Sequence, residues 1–234
     1  MGDFDTLTHQ RIRIPGAIDP NFALWTPLNV SGCELWFAAN KLQGYSNNDA
    51  MSVWFDLTEY GYNATQSVST EKPLYKTNMV NGLPAAYFDN SNDGMYGSVN
   101  VTNPYTVIVV YNSITTSGNR RCVQGNSNNW LIGPYGGEHS LYNGAFIEGP
   151  TIVANEFVYC RVQGTVSGAE FWVNGSSQGS NGNTTAPGVL NLAYEGAYNE
   201  PLNGHIAELI VYDSSISSAD ALLVENYIKA KYGL

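Results

Sequence analysis

The stretch Gly204–Leu234 (GHIAELIVYDSSISSADALLVENYIKAKYGL) constrains the fold more than any other part of the chain. His205–Tyr212 is mostly apolar and β-branched, the composition of a sheet strand. Ser217, with Asp220 three residues on, forms a helix-capping pattern. Ala219, Leu222, Leu223, Tyr227 and Ala230 fall at helical spacing, Glu225 can pair with Lys229, and Gly233 can stop the helix. A helix is therefore predicted over Ser218–Lys231, docked through Leu223 and Tyr227. Everything before this stretch reads as short strands and turns, so the expectation is a β-rich domain closed by one C-terminal helix.

Strand-like runs occur at Glu34–Ala38, Val53–Asp56, Ala85–Asp89, Tyr105–Tyr111, Arg121–Gln124, Phe157–Gln163, Glu170–Val173 and His205–Tyr212. That spacing is the pattern of an all-β sandwich. Tyr105–Tyr111 is nearly all apolar, which places it in a central strand buried on both faces. Asn-Gly pairs at 81, 143, 174, 181 and 203 supply residues suited to tight hairpins. Ser176–Pro187 (SSQGSNGNTTAP) reads as a low-complexity surface loop.

With 234 residues, the chain suits one sizeable sandwich. Lys and Arg total 10 against 20 acidic residues, a formal charge of −10, which argues against nucleic acid and anionic membranes. No run approaches membrane-spanning length. No secretory signal is visible at Met1–Asp5, so synthesis in a reducing cytoplasm is expected. Cys33, Cys122 and Cys160 have no ligand-like spacing and are expected as free thiols.

Further motifs precede the closing strand and helix in order. They are Trp25-Thr26-Pro27 with Ser31–Phe37 (SGCELWF), Val53–Leu57 (VWFDL) with Asn63–Gln66 (NATQ), Asn81–Asp89 (NGLPAAYFD), and Phe171–Gly175 (FWVNG). Together they resemble the laminin-G-like, or concanavalin-A-like, jelly-roll domains of bacterial and bacteriophage proteins. The resemblance runs from about residue 25 to the end. It implies an all-β fold: an antiparallel two-sheet jelly-roll sandwich with one C-terminal α-helix. The chain then divides into an extended N-terminal arm, 1–24, and the sandwich, 25–234. Function does not follow, because this architecture hosts lectins, enzymes and structural modules alike.

Enzymes of this fold that cut β-glucans use a clustered Glu-x-Asp-x-x-Glu, which is absent here. Glu208 and Asp213 are oddly spaced, so they fall on opposite strand faces, and Glu208 is expected half-exposed. His9, His139 and His205 are isolated, with neither HExxH nor a nucleophile elbow. No catalytic residue is assigned and no enzyme is expected. Asp89, Asn92 and Asp93 lie in an oxygen-rich turn, DNSNDG, that partly imitates a calcium loop, with Asn100 where a closing Glu would stand. No cofactor is expected, with calcium at that turn as the alternative.

Sugar binding requires aromatic rings beside Asn, Asp or similar hydrogen-bonding groups. Asn128, Asn129, Trp130, Tyr135, Glu138 and His139 supply both in one loop-rich stretch, and Tyr194, Tyr198 and Asn199 could converge with them. Trp36, Trp54, Trp130 and Trp172 also have the size and placement of core residues.

The leading expectation is a non-catalytic virion protein, a bacteriophage capsid-decoration, head-fibre or tail-associated subunit at the virion surface. Its arm would anchor on capsid or tail proteins, or on other copies in a homo-oligomer, through Phe4, Leu7, Ile12, Ile14 and Phe22. Arg11 and Arg13 would meet acidic partners. The alternative is a carbohydrate-binding adhesin or lectin module recognising glycans.

Overall fold

The computed structural model describes residues 25–193 and 200–234, so the arm and its anchors Phe4, Leu7, Arg11, Ile12, Arg13, Ile14 and Phe22 lie outside the described residues. The first eight strands are β1 (Cys33–Ala38), β2 (Val53–Trp54), β3 (Ala64–Thr65), β4 (Leu74–Val80), β5 (Leu83–Asp89), β6 (Met95–Val101), β7 (Tyr105–Ser113) and β8 (Val123–Gly125). β9 (Leu131–Tyr135), β10 (Glu138–Tyr142), β11 (Phe146–Thr151), β12 (Phe157–Thr165), β13 (Gly168–Val173), β14 (Ser176–Asn181), β15 (Gly188–Leu192) and β16 (Asn203–Tyr212) complete the set, followed by helix α1 (Ser218–Tyr232). The strands form two antiparallel sheets packed as a jelly-roll sandwich, the expected fold class. The first runs β14-β13-β12-β7-β16-β5-β4, with β1 also paired to β16. The second runs β11-β10-β9-β8-β15-β6-β3-β2.

Long β16 organises the first sheet. Its whole length lies beside β7, while its other edge takes β5 along Asn203–Ile206 and β1 along Glu208–Tyr212. The core between the sheets holds Phe37, Trp54, Phe88, Tyr111, Trp130 and Phe171. A second apolar layer lies outside the first sheet, where Trp36, Ile108, Val110, Tyr159, Ile210 and Tyr212 meet α1. β7 is thus buried over all nine residues, as its continuous apolar sequence anticipates. Asn81-Gly82 and Asn174-Gly175 take positive φ at both positions (48° and 75°, 49° and 79°), giving the β4–β5 and β13–β14 hairpins. Asn181 and Asn203 instead lie within strands.

Ser217 caps α1 by accepting from the Asp220 amide, and Gly233 ends it in the left-handed conformation at φ 73°. The docked face differs from the expected one. Ala221, Val224, Ile228 and Tyr232 are buried with Glu225, whereas Leu222 and Leu223 are 54% and 39% exposed. Tyr227 packs at the margin, against the rings of Trp25 and Trp36. Buried charge sets this rotation. Glu225 turns inward to meet Arg161 of β12 at 2.8 Å, so it does not make the expected pair with Lys229. A buried guanidinium left without a counter-ion costs far more than a solvent-facing i,i+4 pair contributes.

Glu208 is likewise fully buried rather than half-exposed. The register shifts between Ile206 and Glu208, so both Ala207 and Glu208 face the helix. Glu208 accepts from Trp36 Nε1, from the Tyr227 hydroxyl at 2.9 Å and from Lys231 Nζ at 2.9 Å. Burial lowers the Lys231 pKa, and the Glu208 carboxylate partly restores it.

Ser176–Asn181 is also not loop but edge strand β14, because a tight hairpin can pair it to β13 through backbone groups alone. Cys33, Cys122 and Cys160 are free thiols.

Ile228→Ala is expected to cost about 3 kcal/mol, and Leu223→Ala under about 0.5 kcal/mol, compared by urea-denaturation midpoints. Lys231→Met strands the buried Glu208 carboxylate and is expected to cost about 3–5 kcal/mol. In the same assay, adding Glu208→Gln should recover much of that loss.

Candidate functional site

Strand parity separates the two faces of the second sheet. Ile132, Leu141 and Ile147 enter the core, so Tyr135 of β9, Glu138 and Tyr142 of β10, and Phe146 and Glu148 of β11 face outward. Among the described residues α1 is the one α-helix, and it covers the first sheet, not this face. A short turn across Asn143-Gly144-Ala145 sets Tyr142 directly opposite Phe146. Their rings lie 4.8 Å apart at 57°, and Tyr135 closes on Phe146 at 4.5 Å and 36°. Phe146 remains 38% exposed. The three rings form a half-open aromatic platform.

A fixed polar network borders the platform. Arg121 Nε meets Glu200 Oε2 at 2.7 Å, and its guanidinium also donates to Asn129 Oδ1 at 3.0 Å. The Tyr135 hydroxyl bonds to Glu200; burial raises the Tyr135 pKa, and the Glu200 charge and hydrogen bond raise it further. Ala193 and Glu200 are tied by backbone hydrogen bonds to the adjacent residues Cys122 and Arg121. Tyr194, Tyr198 and Asn199 lie outside the described residues.

The structure divides the other sequence candidates. Asn129 and Tyr135 belong to this site, and Glu138 faces Tyr135 across the β9–β10 hairpin. Exposed Asn128 braces a neighbouring loop by donating to the Ala186 carbonyl at 2.9 Å. Trp130 has to be withdrawn, since its ring is fully buried and its Nε1 donates to the Tyr105 hydroxyl at 2.9 Å. His139 also points inward, its Nδ1 2.7 Å from the Tyr111 hydroxyl, and burial pushes its pKa down to about 4. Both belong to the inward-facing alternation of a segment expected as loop. Tyr142, Phe146, Arg121 and Glu200 were missed. The readable signal was two aromatic residues flanking an Asn-Gly turn, YNGAF.

At the oxygen-rich turn, Asp89 accepts from the Ser91 amide at 2.9 Å and Asp93 from the Asp89 amide at 3.2 Å. The half-buried Asn92 lies between them. These carboxylates already serve their own backbone. Among the described residues no group of three or more His, Cys, Asp or Glu is arranged to hold a metal.

No family model and no curated relative matches the chain. Solved structures do. Domain 4 of AbnA, a GH43 extracellular arabinanase from Geobacillus stearothermophilus solved with arabinotriose, matches with a TM-score of 0.60 at 13% identity, covering 83% of this chain and 98% of that domain. Trypanosoma rangeli sialidase, solved with sialic acid, matches at 0.59 and 10% identity, covering 86% of this chain but 33% of the sialidase. The botulinum neurotoxin serotype D binding domain matches at 0.59 and 10%, covering 83% of this chain and 50% of that one. At such identities the likeness establishes the sandwich fold alone. No helix among the described residues is long and apolar enough to cross a membrane.

The buried ionisable groups set opposing pH dependences. His139 and His205 are both held near about 4, by burial and, for His205, also by Lys76. Being depressed from an unfolded value near 6.5, they contribute stability above that pH and lose it as pH falls toward about 4. Asp93 is raised from 3.8 to about 7 by burial and then by Asp89, against a lowering hydrogen bond from the Asp89 amide. Its contribution is present at acid pH and lost as pH rises toward about 7. Asp93→Asn should therefore melt higher than the wild type at pH above this window and lose stability more steeply on acidification, checked by thermal melts across pH.

Proposed function

We propose that this chain is a non-catalytic carbohydrate-binding module, and that saccharide docks on the outer face of the second sheet. The observation carrying this reading is the half-exposed Tyr135–Phe146–Tyr142 platform beside a pre-set polar network. Sugar rings present apolar C–H faces that stack on such rings, while their hydroxyls need donors and acceptors already held in place. Tyr135, Asn129, Glu200 and Arg121 provide that order at the platform's margin. Binding to pre-ordered groups loses little conformational entropy. The fold likeness to an arabinanase domain solved with arabinotriose supports the same reading.

The non-catalytic part of the reading rests on the sequence lacking the clustered acids and on the pairing of Glu200 with Arg121. Neither a metal nor another cofactor is part of the proposal. Attachment to a virion, through residues 1–24 and with further copies of the chain as partners, rests on the sequence alone. We place it second to carbohydrate binding, because the half-open aromatic face and the fold likeness both favour the latter.

The test is affinity electrophoresis of the full chain through gels containing soluble arabinan and other plant or microbial polysaccharides. Retardation by at least one polysaccharide is expected. Phe146→Ala and Tyr142→Ala should each weaken it about tenfold, equivalent to ~1.4 kcal/mol, while the near-ultraviolet circular dichroism stays native. No new reducing ends should appear on prolonged incubation. Retardation unchanged in both variants would remove the platform from the site.

A further inference from the structure

Resting on the carbohydrate-binding reading above, we infer that this face selects neutral, soluble glycan chains, discriminating against anionic glycans and crystalline polysaccharide surfaces. Two independent observations carry this, one electrostatic and one geometric.

The electrostatic observation concerns the whole second sheet. None of its eight strands contains a Lys or an Arg. The described cations that lie in strands or in the helix are Lys76, Arg161, Lys229 and Lys231, all on the first sheet or on α1. Next to the platform lie Arg121, which is 3% exposed and already committed to Glu200 and Asn129, and half-buried Arg120, whose amide bonds the Pro134 carbonyl and whose guanidinium lies against Gly118. Outward-facing Glu138 and Glu148 flank the rings instead, within a chain of formal charge −10. A carboxylated or sulfated sugar laid on Phe146 would lie within a Debye length of these carboxylates, with no solvent-facing cation on the strands to offset them. A neutral sugar meets no such barrier, and it can use the same carboxylates as hydrogen-bond acceptors.

The geometric observation concerns the rings. A crystalline polysaccharide face is flat, so a protein that adheres to it must present aromatic rings in one plane. Tyr135 and Tyr142 are inclined to Phe146 by 36° and 57°. Such a twisted platform can follow a single chain whose successive sugars rotate about the glycosidic bonds. Neither tyrosine can lie flat on a plane on which Phe146 is stacked.

The experiment is a glycan array of neutral and anionic oligosaccharides, followed by titration of the full chain with its best neutral ligand and with alginate, at low and high salt. Sedimentation with microcrystalline cellulose and chitin completes the set. Neutral ligands are expected to bind at least about tenfold more tightly than alginate, with little salt dependence and no depletion by the crystalline solids. Glu148→Lys should raise alginate affinity at low salt, and the gain should vanish at high salt. Preferential binding of anionic glycans, or depletion by cellulose or chitin to the level reached with neutral chains, would overturn the selectivity while leaving carbohydrate binding intact. Binding to nothing on the array would overturn the carbohydrate reading and this inference with it.

Discussion

Two buried ion pairs decide how this sandwich is finished. Arg161 and Glu208 project from the outer face of the first sheet, where neither could remain without a partner once apolar neighbours exclude water. Helix α1 answers both, with Glu225 and Lys231 placed six residues apart on its buried side. Arg161 is further enclosed by the Trp172 ring, 3.5 Å from its guanidinium carbon, and by Gln163, which accepts from it at 2.8 Å. Apolar packing by Ala221, Val224 and Ile228 supplies area, but area alone tolerates a rotated helix. Paired charges do not. The consequence reaches the other side of the molecule: α1 is fixed on the first sheet, and the second sheet keeps an aromatic face that no described helix covers.

The parts of this architecture that were legible in the sequence were those written in local chemistry. The capping pair Ser217 and Asp220, the stop at Gly233 and the unbroken apolar run of β7 each specify their structure within a few residues. Helix rotation was not legible, because it depends on Arg161, far away in sequence on β12. Leu222 and Leu223 drew the expected face toward themselves, although a Leu is as common on a surface as a buried Glu is rare. Glu208 defeated a parity argument for a related reason, since one bulged residue re-aims a strand without leaving a mark in composition.

The site was half legible for the same cause. Asn129 and Tyr135 were identified by residue type, and the structure brings both to the candidate platform. Trp130 and His139 were identified in the same way and lie inside, because Leu131–Tyr135 and Glu138–Tyr142 are strands whose alternation sends Ile132, His139 and Leu141 inward. Those strands contain Gly133 and Pro134 and are bounded by Gly136-Gly137, which makes them read as loop. Pairing with β8 and β11 holds them extended all the same. Phe146 and Tyr142 escaped notice because their proximity comes from hairpin register and has no counterpart in spacing rules for single strands.

On the proposed carbohydrate-binding reading, a platform of three tilted rings would also limit how strongly one domain could hold a neutral chain. Stacking and a few hydrogen bonds must offset the loss of translational and rotational freedom, and no charge pairing adds to them. Such a site would release ligand readily, which would suit attachment that must be reversible. Strong adhesion from the same chemistry then requires several faces engaged at once, because linked sites gain from effective concentration without any new contact.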